Sequence, residues 1–154
     1  MDLLAIHHAD VFNFPLLIHV LSAMTLVGVL ILAAASLAGA WNSGSAALTR
    51  LGYRSLLWAG LPSYIALRAT SEWIRDKEGI PSDDTPNWVD IGYMTTDPGL
   101  LILIAATVLA GIGARRTSRG SGSAVTLDRV ATVLLAISIV AYLVAVWAMT
   151  TKPT

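Results

Sequence analysis

At 154 residues the chain has room for one domain, and with 55% hydrophobic and 13% charged residues it departs from soluble domains, which carry roughly 25% charge. The absence of cysteine excludes disulfides, thiolate metal sites and thiol–quinone chemistry. Ten basic and ten acidic residues cancel to zero net charge but are strongly separated along the chain, and no nucleic-acid surface is visible.

The N-terminal MDLLAIHHAD has acids where a secretory leader carries a basic n-region, so the apolar run that follows reads as a span rather than a cleaved leader. From Phe14 to Ala40 there are 27 residues without a formal charge, FPLLIHVLSAMTLVGVLILAAASLAGA. A helix of that length reaches ~40 Å, enough for a bilayer core of ~30 Å with some tilt. We place the first span at about 12–40 and an inner loop at 41–47. The second span, about 48–73, is the weakest, because only thirteen residues, SLLWAGLPSYIAL, separate Arg54 from Arg68 and Pro62 sits among them. It spans only if both arginines snorkel. An outer loop over 74–97 precedes the third span at about 98–114, where Thr95, Thr96 or Asp97 is available as N-cap and Pro98 suits a first turn. An inner loop over 115–129 leads to the fourth span, about 130–149, VATVLLAISIVAYLVAVWAM.

Charge sets the orientation. Arg50, Arg54, Arg115, Arg116, Arg119 and Arg129 flank the first and third connections, while every acid except Asp128 falls in the N-terminus or between Glu72 and Asp97. Basic short loops stay cytoplasmic, so both termini are outside. The expected fold is all-α: a single transmembrane domain over 1–154, an integral membrane four-helix bundle, N-out and C-out, in the cytoplasmic membrane of a prokaryote. Trp41, Tyr53 and Trp58 on one side and Phe12, Trp73, Trp88, Tyr93 and Trp147 on the other fit interfacial belts. Small residues four apart, Ala35 with Gly39, Ala106 with Ala110, Thr107 with Gly111 and Ala141 with Ala145, allow close helix contact or self-association.

Ionisable residues inside a membrane are costly and therefore candidates for function. His19 lies ~10 Å below the outer boundary if the first helix enters near Phe12. It is either a neutral imidazole bonded to a neighbouring helix, with Ser22 or Tyr64 as partners, or a haem or metal ligand. Arg68, one turn from Tyr64 and from Glu72, is expected to pair with Glu72; beside a haem it would suit a propionate. His7 and His8, with Asp2 and Asp10, form either a solvated terminus or a weak Cu²⁺ or Zn²⁺ site. A second axial ligand for His19 could come from a second copy or from Met149, but not from His8, ~16 Å away along a helix. Every acid reads as a loop or terminal residue, which counts against proton-coupled transport. No catalytic constellation is visible.

The stretch LLIHVLSAMTLVGVLILAA, with its early histidine and with Gly28 nine residues on, resembles the opening helix of four-span bacterial families, among them copper-resistance D-type proteins and the haem-dependent membrane protoporphyrinogen oxidases. The resemblance implies haem b or a metal at His19. The oxidases also use a lysine in their third span, where this chain has none. Three functions follow as expectations. The first is a non-catalytic accessory subunit or homo-oligomeric scaffold, with the bilayer and a larger complex or its own copies as partners and an acidic outer loop for recognition. The second is a haem- or metal-binding redox protein using His19. The third is a small transporter.

Overall fold

The structure is a computed structural model that describes residues 14–78, 87–119 and 124–151. These form helices α1 (Phe14–Ser43), α2 (Ala46–Ser55), α3 (Leu61–Glu78), α4 (Asn87–Thr117) and α5 (Ala124–Thr151), with a π-helical turn, Leu56–Gly60, between α2 and α3. No strand occurs among the described residues. Among the described residues three helical segments are long and apolar enough to cross a membrane: Phe14–Ser43, Asp90–Thr117 and Val125–Ala148. The expected second span is not among them.

That second segment is nonetheless helical throughout 46–78. Pro62 would ordinarily break a helix here, since it has no N–H and its ring crowds the carbonyl four residues back. The chain absorbs the fault one residue earlier, where the Leu61 amide donates to the Leu56 carbonyl, five positions back. A π turn of this kind widens the helix locally and lets α3 continue with the same sense as α2.

Helix boundaries differ from the sequence expectation on both sides of α4. Pro98 was expected in a first turn capped by the residues before it, but α4 starts at Asn87 and contains Pro98. Instead of capping, the Thr95 and Thr96 hydroxyls donate back to the Ile91 and Gly92 carbonyls. The connection expected over 115–129 is likewise shorter, because α4 continues to Thr117 and α5 begins at Ala124. Asp128 and Arg129 are therefore helical. Between α1 and α2 the chain turns at Gly44, whose φ of +68° is a left-handed conformation that costs glycine little.

Helix α1 packs on α2, α3 and α5, and α4 packs on α5 and α2. The interior is built from Leu26, Leu30, Ala33 and Leu37 of α1, Leu56 of the π turn, Leu103, Ala106 and Ala110 of α4, and Ala131 and Leu135 of α5. Two of the small-residue pairs act in this packing: Ala106 and Ala110 are fully buried, and Gly111 admits the Tyr53 ring so closely that a Cβ there would lie 2.9 Å from it. Ala35, by contrast, is exposed. Only 17% of the most apolar stretch of α1 is buried, so the most apolar helix turns much of its surface outward, as a lipid-facing helix does.

Candidate functional site

Polar groups gather at two places, one at each end of the helices. At the acidic end, Arg68, Glu72 and Arg75 fall on one face of α3 through i, i+4 and i+7 spacing. Arg68 pairs with Glu72, Nη1 to Oε1 at 3.3 Å, as its spacing predicts, although the contact lacks the angle of a hydrogen bond. Its Nη2 reaches Asp97 of α4 at 3.3 Å, and Arg75 holds the other Glu72 oxygen at 2.8 Å. The Arg68 guanidinium lies over the Tyr93 ring, 4.5 Å from its centroid. One turn further in, the Tyr64 hydroxyl donates to the Thr96 carbonyl at 3.0 Å. Helices α3 and α4 are thus joined by an ion pair, a stacked cation and a hydrogen bond.

His19 of α1 faces α3 beside this network. Its partners are Thr70 and Ser71, with Nδ1 3.3 Å and 3.4 Å from their hydroxyl oxygens; Ser22 and Tyr64, the expected partners, do not bond it. Each hydroxyl already gives its proton to a carbonyl of its own helix, Thr70 to Ala66 and Ser71 to Leu67. Both hydroxyls are thus placed as acceptors for an Nδ1–H, and the imidazole also bonds the Leu67 carbonyl of α3.

At the basic end lies a residue that sequence reasoning placed in a loop. Asp128 is 3% exposed. Its Oδ2 accepts a hydrogen bond from the Thr49 hydroxyl of α2 at 3.0 Å, while Oδ1 is buried with no hydrogen-bond partner among the described residues and faces Gly113 of α4, where a Cβ would approach it to 2.9 Å. Three helices thus meet at one carboxylate, and the expectation that every acid lies in a loop or terminus is overturned. Next to it, the Arg129 guanidinium is 4.8 Å from the Trp41 ring and so ties α5 to α1. The signal for Asp128 was its register: it precedes Ala131, Leu135, Ser138, Tyr142 and Ala145 on the 3, 4, 3, 4, 3 spacing of the buried face of α5. Tyr142 was missed in the same way. It is buried with its hydroxyl unpartnered among the described residues, against Gly99 of α4, where a Cβ would come within 2.8 Å of that oxygen.

Among the described residues no group of three His, Asp or Glu side chains is placed to hold a metal ion. His7 and His8 lie outside the described residues, as does the side chain of Met149. The haem that the resemblance implies at His19 fits these neighbours poorly. Arg68, the expected propionate partner, is already engaged by Glu72 and Asp97, and the imidazole is packed against hydroxyls. Compared with known families, with curated proteins and with solved structures, the chain matches none.

Proposed function

We propose that the chain is a small integral membrane protein of a prokaryotic cytoplasmic membrane, non-catalytic, and serves as an accessory subunit or homo-oligomeric scaffold. In this reading the segment 46–78 crosses together with the three long apolar helices, Arg50 and Arg54 emerge on the inner side, and both termini are outside. The observation that carries the reading is the acidic-end network. Its charged groups pair with one another and tie α3 to α4, while Trp73 and Met94 beside it are exposed. A rigid charged platform with exposed aromatic and thioether side chains is the composition of a recognition surface.

Purification from native membranes in mild detergent tests this reading. A co-purifying membrane subunit or a stable homo-oligomer is the expected result, and a lone monomer at every detergent concentration would defeat it. The same preparation addresses the redox alternative: a Soret band that vanishes in His19→Ala would move the function to haem chemistry. Topology is tested in this cysteine-free chain with single cysteines. Ser82→Cys is expected to react with an impermeant maleimide in intact cells and Ser121→Cys only after permeabilisation, whereas the reverse pattern would invert the orientation.

A further inference from the structure

Helices α2 and α4 meet closely where the Tyr53 ring lies on Gly111. Further along, α3 is tied to α4 by the Tyr64 hydrogen bond to Thr96 and the ion pair of Arg68 with Asp97. Between and below these ties runs an open groove of about 320 Å³. Its walls include Leu57 and Leu61 on one side and Ile104, Val108 and Ile112 on the other, and its one charged lining residue is Arg115. Ile104, Val108 and Ile112 are 43%, 52% and 38% exposed, so the groove opens outward, toward lipid if the helices span. Thr107 adds no free donor, because its hydroxyl is given to the Leu103 carbonyl.

We infer that this groove holds one acyl chain of an anionic phospholipid whose phosphate meets Arg115; the inference rests on the membrane-spanning reading above. Length supports it: from Arg115 to Ile104 is ~16 Å along a helix, and one leaflet's share of the hydrocarbon core is ~15 Å. Charge supports it as well. Arg115 stands at the end of α4 where the basic residues collect, and a guanidinium binds phosphate through a forked pair of hydrogen bonds. A packed transmembrane helix ~10 Å across would bridge over the groove and bring its apolar side against Arg115, so charge favours the lipid over a second copy of the chain.

Native mass spectrometry of the full chain in mild non-ionic detergent, titrated with palmitoyl-oleoyl phosphatidylglycerol or the matching phosphatidylcholine, tests the site. The first phosphatidylglycerol is expected to bind about fivefold more tightly than the first phosphatidylcholine, the preference one arginine near the surface confers. Arg115→Gln is expected to bring that ratio to about one. Val108→Trp and, separately, Ile104→Trp fill the groove with the charge intact, and each is expected to reduce first-site occupancy by both lipids severalfold in protein that keeps its wild-type helix content. A preference unchanged by Arg115→Gln, occupancy unchanged by both tryptophans, or lipid displaced by a dimer would overturn the inference. Carbonate extraction of membranes separates the two levels: release of the chain into the supernatant defeats the membrane reading itself, while retention in the pellet without lipid preference defeats only the groove.

Discussion

The two ends of the helices solve the problem of a charged side chain near a membrane in opposite ways. At the acidic end Arg68 has two carboxylates and an aromatic face around it, and its partners remain 36% and 60% exposed. At the basic end Asp128 is 3% exposed and has one hydroxyl. Redundancy and water make each contact at the first end worth little, whereas burial makes the single contact at the second worth a great deal. Burying a carboxyl group with a single hydrogen-bond partner costs stability, so Asp128 is a costly position for the fold and the exposed network is not.

The largest effect is therefore expected from Thr49→Val, which keeps the shape of the side chain and removes the one hydroxyl among the described residues that bonds Asp128. Leaving a buried carboxyl oxygen without its hydrogen bond costs about 3 kcal/mol, read as a shift in a reversible detergent-unfolding midpoint. Adding Asp128→Leu is expected to restore most of the loss, since replacing both partners of a buried hydrogen bond by apolar groups of similar shape is nearly neutral. If Thr49→Val alone is silent, Asp128 is not held by Thr49 and the contrast between the ends collapses. Gly113→Ala comes next. Its Cβ would meet Asp128 Oδ1 at 2.9 Å, and overpacking of this kind costs about 2 kcal/mol. In an Asp128→Ala background the added methyl has room, so a double-mutant cycle should show a coupling of about the same size.

The same contrast explains what the sequence could and could not reveal. The long uncharged runs identify α1, α4 and α5 because length and hydropathy alone decide them, and the pairing of Arg68 with Glu72 follows from a local four-residue spacing. Asp128 was read by the company it keeps in the chain, next to Arg129 and after a Gly–Ser stretch, when its burial is decided by helices α2 and α4 that are distant in sequence. Its heptad register with Ala131, Leu135 and Tyr142 held that information. Asp97 and Tyr93 likewise join the Arg68 network only because α4 begins about three turns before Pro98, a start that the proline's preference for first turns concealed.

A smaller effect is expected from Arg68→Gln. The substitution removes both ion pairs and the stacking on Tyr93, yet Arg75 still holds Glu72 at 2.8 Å and the Tyr64 bond to Thr96 persists. Half-exposed pairs of this type contribute about 1 kcal/mol or less, and the contribution should shrink further as salt is raised. An unfolding shift larger than that of Thr49→Val would reverse the ranking of the two ends and make the network the principal lock between α3 and α4.

The smallest structural effect is expected at His19. Its Nδ1 contacts with Thr70 and Ser71 are long, and both hydroxyls retain bonds to carbonyls of their own helix when the imidazole is removed. His19→Phe therefore strands no buried donor or acceptor and replaces one ring by another of similar width. A shift of about 0.5 kcal/mol is expected, at the low end for a neutral hydrogen bond. The measurement pairs that unfolding midpoint with recovery of the protein's oligomer or partner complex. A histidine that serves only to orient α1 on α3 will leave both nearly unchanged. A large loss in either, despite intact hydroxyl bonding on α3, would mean that the imidazole itself does the binding, and the contest between scaffold and haem or metal protein would turn in favour of the latter.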